Sequence, residues 1–209
     1  MSAPKDRPIL EAVLESGEAI LDAIVNGDAI ASVPVMGIAF KIARAADSIR
    51  DRALAAKLTK FMVQFEKISE SSRQRWKVKL TESPDEATRV GEMLFLVIDR
   101  ATDLKKADVL AFLFIAYIDG VLSSDELRRM SQAVDTAFID DLEQLLNAHD
   151  VPKESDAPWM KYLASSGLTF PSGKGTLGDD GVLIYDVSSL GHKCRTAYFH
   201  GRKQAREAA

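Results

Sequence analysis

The side chains best suited to nucleophilic or metal chemistry are few and lie near the carboxyl end of the chain. His192, Cys194 and His200 stand in GHKCRTAYFH (191–200); Cys194 is the single cysteine, and His149 is the one other histidine. Thiolate and imidazole groups bind zinc and form catalytic dyads. On a helix, however, positions two apart diverge by about 200°, and no second Cys/His pair completes a tetrahedral shell. We therefore predict no metal site and no dyad, and we expect these side chains to face solvent.

Two further segments contain residue types that bind cations or phosphate. YIDGVLSSDEL (117–127) joins Asp119 to a later Glu126, but it lacks the alternating acidic residues and the spacing of a calcium loop. GKGTLGDDG (173–181) lacks the spacing of a phosphate-binding loop and has no Ser or Thr after its lysine. We interpret the first segment as a joint between two helices and the second as the tip of a hairpin.

Carboxylates are abundant in the middle of the chain, and two of them in one cleft could act as an acid/base pair or bind a divalent cation. Solvated helix faces are the ordinary explanation. We therefore predict no catalytic residue, no cofactor, no metal and no small-molecule substrate, and classify the protein as a non-enzyme. The residues in question are Asp99, Asp103, Asp108, Asp119, Asp140, Asp141 and Glu143.

Charge is divided into blocks along the sequence. Residues 38–80 hold 11 basic and 4 acidic side chains, whereas residues 81–150 hold 6 basic and 15 acidic ones. The blocks could face each other within one fold or across a dimer, or the basic block could bind a phosphate-rich partner, either anionic lipid or nucleic acid. The candidates for anion or nucleic-acid contact are Arg50, Arg52, Lys57, Lys60, Arg73, Arg75, Lys77, Lys79, Lys161 and Lys174.

Helical periodicity dominates the first 150 residues. Apolar positions recur at helical spacing from Pro8 to Gly27, and again from Ala53 to Ile68. A basic helix follows at 71–80, and Ser83 with Glu86 has the pattern of a capping box at a helix start. Ten consecutive apolar residues at 109–118 are too few to span a bilayer, so they predict a central buried helix. A second capping box at 123–126 opens a helix with an apolar stripe that includes Phe138, Leu142 and Leu145.

The last 59 residues differ in character. A short helix near Trp159 precedes a glycine-rich segment, β-forming residues at 182–187 and a final helix capped by Ser188 or Ser189. The sequence therefore predicts a mainly α protein, with a helical bundle at 1–150 and a small α+β tail bearing a β-hairpin at 151–209. One cysteine and an acidic amino terminus favour the cytoplasm over secretion.

The segment at 29–43 has an apolar run that ends in basic residues. A core helix, an interfacial helix on the inner face of the cytoplasmic membrane, and a self-association surface all fit this pattern. Insertion into a membrane after a trigger is a further alternative. The candidates for membrane or partner contact are Val33, Pro34, Val35, Met36, Ile38, Phe40, Lys41 and Arg44.

ADVLAFLFIAYIDGVLSSDELRRM, an apolar helix ending in Asp-Gly followed by a Ser-capped helix, resembles the repeated unit of TerB-like tellurite-resistance domains over about residues 92–146. That resemblance implies an all-helical bacterial module of stress-response or phage-conflict settings, not an enzyme. Residues 157–200 resemble the second half of a winged helix, with WMKYLASSGL in the place of the recognition helix and YDVSSLG after the wing. A wing-like fold implies either nucleic-acid binding or protein contact.

Three functional hypotheses follow. The first is a non-enzymatic interaction or adaptor protein, with a protein partner or self-association and an anionic membrane surface as a further contact. The second is a nucleic-acid-binding protein that uses the tail and the basic block. The third is a membrane-perturbing effector.

Overall fold

The computed structural model describes residues 48–150, 155–172 and 183–207. Within these ranges the protein is mainly helical, with a small antiparallel sheet near the carboxyl end, and the predicted fold class is confirmed. The helices are α1 (Ile49–Glu66), α2 (Glu70–Glu82), α3 (Pro84–Arg100), α4 (Leu104–Ile118), α5 (Ser124–Thr136), α6 (Ile139–Asn147), α7 (Pro158–Leu163) and α8 (Ser189–Glu207), with a 3-10 turn at Ala164–Ser166 and strands β1 (Thr169–Pro171) and β2 (Tyr185–Val187). The helix predicted from Pro8 to Gly27 lies outside the described residues.

Helix α4 is the centre of the bundle. Every residue from Val109 to Ile118 is buried, and α1, α2, α3, α5 and α8 all contact the helix. A helix that is apolar on all sides has no face suited to water, so neighbours must surround it. The prediction of a central buried helix is confirmed.

Aromatic rings fix α1 and α2 against α4. The ring of Phe114 lies 5.7 Å from that of Phe61 and 5.5 Å from that of Phe65, both on α1. Trp76, the largest buried side chain of α2, meets Phe114 edge to face at 5.1 Å. Such tilted and edge-to-face pairs have the favoured geometry for aromatic contact, and Phe114 therefore connects three helices.

Helix α8 returns along α4 at very short range. A Cβ atom at Gly201 would lie 2.1 Å from the carbonyl oxygen of Phe112, so only glycine allows this backbone approach. Gly191, at the start of α8, is equally close to the backbone of Leu168. The buried Cys194 and Ala197 occupy the same packed helix.

Strands β1 and β2 form the predicted antiparallel pair, and the predicted hairpin tip at 173–181 lies outside the described residues. Thr169 pairs with Val187 and Pro171 with Tyr185, and Ser155 forms a further bridge to Tyr185. Thr169 donates a hydrogen bond of 2.5 Å from its hydroxyl to the carbonyl of Met160 in α7. Gly191 donates from its amide to the Ser188 hydroxyl, which caps α8 as predicted. The buried side chains of the tail belong to the same hydrophobic core as α4.

Two details of the helix predictions are wrong. The stripe expected to run through Phe138 is broken, because α5 ends at Thr136 and the next two residues are extended. Phe138 is 64% exposed as a result, whereas Leu142 and Leu145 are buried on α6. Ser83 precedes α3 but makes no side-chain capping bond. The capping box at Ser123–Glu126 is confirmed.

In the described part of the chain, no helix combines the length and the apolar character needed to cross a membrane.

The close approach of α8 to α4 generates a stability prediction. Gly201→Ala should lower the free energy of unfolding by about 1–3 kcal/mol, because the new methyl group forces the two backbones apart. Urea denaturation monitored by circular dichroism measures the change. His192→Ala, on the exposed side of the same helix, is the matched control and should shift the unfolding midpoint far less. Equal midpoints for the two variants would contradict this packing.

Candidate interaction site at the end of the central helix

The end of α4 brings a carboxylate into the protein interior. Asp119 follows the last helical residue, and its amide donates to the carbonyl of Ile115. Gly120 adopts a left-handed conformation with φ of 77°, which turns the chain away from α4. The side chain of Asp119 is only 4% exposed.

Three side chains from two other helices donate to Asp119. Ser72 Oγ and Arg75 Nη2, both on α2, lie 2.7 Å from its Oδ1 atom. His200 Nε2, on α8, lies 2.7 Å from Oδ2. The group Asp119, Ser72, Arg75 and His200, here named the Asp119 cluster, therefore joins α2, α4 and α8 at one point.

The electrostatics of the cluster keep the carboxylate ionised. Burial by itself would raise the pKa of Asp119, but hydrogen bonds from His200, Ser72 and Arg75 favour the charged form and outweigh burial. The net result is a pKa below the ordinary 3.8. An ionised carboxylate held by three donors is a structural anchor and a poor general acid.

An open groove adjoins the cluster. Its volume is about 510 Å³, and it is lined by Ser71, Gln74, Arg75, Val78, Lys79, Ile118, Asp119 and Gly120, here named the α2–α4 groove. The five lining residues of α2 follow the spacing i, i+3, i+4, i+7, i+8, so they form one helix face. Val78 lies within that face and is 41% exposed. This apolar side chain lines a groove wall between polar neighbours.

The groove wall carries a positive charge. Arg75 and Lys79 contribute cations, and the Nζ atom of Lys79 lies 4.5 Å from the ring centroid of Tyr117. Arg75 is paired with Asp119 within the cluster, so Lys79 supplies the net positive charge of the groove lining. Ser71 and Gln74 add groups that can donate hydrogen bonds. The groove is therefore suited to a segment with an apolar side chain and nearby carboxylates.

A second cleft, of about 300 Å³, is lined by Glu86, Arg89, Val90, Met93, Ser124, Asp125 and Arg128. Its charges are mixed and partly paired. Glu86 accepts a hydrogen bond of 2.7 Å from the hydroxyl of Tyr117, and Arg128 pairs with Asp125 at 3.1 Å. Because acidic and basic side chains line this cleft together, its charge favours neither an anionic nor a cationic ligand.

Several of the predicted anion-contact residues lie in contacts within the fold. Arg50 pairs with Asp99 at 3.3 Å, and Lys57 donates to the carbonyl of the same residue at 2.7 Å. Lys60 pairs with Asp108 at 2.6 Å. These contacts and the Arg75–Asp119 pair join the basic block to the acidic block. The interpretation that the two blocks face each other within one fold is confirmed for these pairs.

The other basic candidates are distributed differently. Arg73 donates to the carbonyl of Glu66, and Lys79 lines the α2–α4 groove. Arg52, Lys77 and Lys161 are exposed. Lys174 lies outside the described residues, as do all the candidates for membrane or partner contact, namely Val33, Pro34, Val35, Met36, Ile38, Phe40, Lys41 and Arg44.

The expectation that His192, Cys194 and His200 face solvent is wrong for two of them. Cys194 is fully buried, and burial raises the pKa of its thiol to about 12, so it stays protonated and unreactive. His200 points to Asp119. Only His192 is exposed as expected. Among the described residues, no three His, Cys, Asp or Glu side chains are placed to hold a metal ion.

Reasoning from the sequence missed the anchoring role of Asp119. The available signal was an acidic residue directly after a ten-residue apolar run, which places its side chain beside the core. The partners could not be found in this way, because Ser72 and His200 are 47 and 81 residues away in the chain.

Comparison with known proteins gives no match: no family model, curated protein or solved structure is similar to this chain at a significant level.

The Asp119 cluster generates a second stability prediction. Asp119→Asn should lower the free energy of unfolding at pH 7 by about 1–3 kcal/mol, because Arg75 and His200 lose a charged acceptor. Urea unfolding at a series of pH values measures the difference. Asp125→Asn, at a surface position, is the control and should have little effect.

The pH dependence of this difference follows from the lowered pKa. A depressed pKa in the folded state contributes stability that is present above the ordinary value of 3.8 and is lost as the pH falls through the folded value. The difference in the free energy of unfolding between the native protein and Asp119→Asn should therefore stay constant above that pH and shrink below it. A difference in the free energy of unfolding that grows as the pH falls would contradict the interactions described for the Asp119 cluster.

Proposed function

We propose that the protein is a non-enzymatic interaction module and that the α2–α4 groove is its contact site. The observation that carries this proposal is the groove itself, with an exposed apolar side chain between cationic and hydrogen-bonding neighbours. A bacterial stress or phage setting, contact with the inner face of the membrane, nucleic-acid binding and membrane perturbation remain predictions from the sequence.

The dimensions of the groove suit a segment of polypeptide. The lining face of α2 extends over residues 71–79, which at 1.5 Å per residue is about 12 Å, or two helical turns. Helices bind in such grooves by placing apolar anchors at i, i+3 or i+4 spacing. Val78 offers a contact for one anchor, and Lys79 offers a partner for a carboxylate. The exposed part of the Arg75 guanidinium, which is already paired with Asp119, adds a hydrogen-bond donor. The partner is therefore expected to present an acidic amphipathic segment.

The polar groups beside the groove also support a binding role. Asp119 is ionised and shared among three donors, and Arg75 is fixed by that carboxylate while its side chain stays 47% exposed. A cation held in place by a buried anchor loses less side-chain freedom on contact with a partner. The cluster thus preorganises one wall of the groove.

Photo-crosslinking in native cells tests the proposal. A benzophenone amino acid in place of Gln74, an exposed groove residue, should form an adduct with a separate protein. Mass spectrometry should locate the adduct in an acidic segment of that partner. Lys79→Glu should reduce the yield about tenfold, because reversing a charge at the contact costs at least about 1.4 kcal/mol.

The control places the same amino acid at Gln132, which is exposed on α5 away from the groove. Adducts common to both positions, or adducts in segments without acidic residues, would count against the groove as the contact site. A yield that does not respond to Lys79→Glu would have the same meaning.

A further inference from the structure

We infer that the α2–α4 groove is regulated from within the chain: residues 9–25 compete for it as an autoinhibitory segment. This inference rests on the proposed function, because it assigns a second occupant to the same site. The argument combines the charge, the size and the position of the groove with the sequence of that segment.

The α2–α4 groove and residues 9–25 are complementary in charge and polarity. The segment predicts an amphipathic helix with acidic residues along one edge of an apolar stripe, and residues 1–37 contain 6 acidic and only 2 basic side chains. The groove presents Lys79, the half-exposed Arg75 that is paired with Asp119, and the exposed apolar side chain of Val78. The acidic residues are Glu11, Glu15, Glu18 and Asp22, and the apolar ones are Ile9, Leu10, Val13, Leu14, Ile20, Leu21, Ile24 and Val25.

Size also agrees. Two helical turns fill the 12 Å length of the lining face, and two turns place two or three apolar residues at i, i+3 and i+4 on one side. Leu10, Val13 and Leu14 have this spacing in the segment. Leu14 can contact Val78 while Glu11, about 60° from Leu14 around the helix axis, approaches Lys79.

The connection between segment and groove is long enough. The start of α1 lies beside the end of α3, as the Arg50–Asp99 pair shows, whereas the groove lies at the opposite end of α4. A helix of 15 residues such as α4 is about 22 Å long. The 22 residues between position 25 and Ser48 can span at most about 75 Å.

Tethering makes this contact effective as a regulator. A segment joined to the same chain has an effective concentration in the millimolar range, so even a weak contact occupies the groove. A separate partner must bind more tightly or arrive at high local concentration to displace it. The groove would then respond to the concentration and the charge of its partner.

Cysteine crosslinking in the full chain tests the inference. Ser16→Cys, near the middle of the segment, is combined with Gln74→Cys in the groove and treated with a bismaleimide. The buried Cys194 stays protonated and does not compete. We expect an intramolecular crosslink, with a yield about tenfold above that of the matched pair Ser16→Cys with Gln132→Cys. Adding Lys79→Glu should remove most of that difference.

Each alternative outcome has a defined meaning. Equal yields at positions 74 and 132 would overturn the inference, and so would crosslinked dimers without an intramolecular product. Circular dichroism and the urea midpoint of each variant before crosslinking identify any failure to fold, and Ser71→Cys then replaces Gln74→Cys. If photo-crosslinking at position 74 still yields an acidic partner when this crosslink fails, the proposed function stands and only the autoinhibitory segment falls.

Discussion

The fold depends on removing α4 from water. Its last ten residues, 109–118, are all apolar and all buried. Burying one large apolar side chain contributes about 1.5–3 kcal/mol, so the helix stabilises the fold only when neighbours cover every side. Five other helices do so, and the close approach at Gly201 allows α8 to cover the side nearest to it. The arrangement of the bundle follows from this one requirement.

Because α4 is surrounded by protein, the polar groups at its two ends need hydrogen-bond partners within the fold. At the amino-terminal end, Asp103 caps the helix, and the buried Lys106 donates to the carbonyl of Asp135 at 2.8 Å. Burial lowers the pKa of Lys106, and nearby Asp135 and Asp103 oppose that effect. At the other end Asp119 recruits donors from α2 and α8. The cluster that shapes the groove is thus a consequence of burying α4.

Sequence periodicity predicted most of the helices because their apolar faces repeat at helical pitch. It failed at Phe138, where two extended residues redirect the chain without interrupting the apolar spacing. It also misplaced Glu86, whose carboxylate accepts from the distant Tyr117 instead of capping α3. The Asp119 cluster could not be assembled from the sequence, because its members come from three helices brought together only by packing. Local sequence patterns therefore predict single helices, whereas a site built by contacts between distant residues cannot be predicted from them.

The distribution of charge bears on the contact face that we propose on α2. Many basic side chains of α1 and α2 are directed to partners within the fold, so they are less available to an outside phosphate. Helix α2 itself buries only Ser72 and Trp76, and the neighbouring face from Ser71 to Lys79 lines the groove. Trp76 and the half-exposed Arg75–Asp119 salt bridge attach α2 to α4 and leave its second face uncovered. This uncovered face is the physical basis of the binding role that we propose.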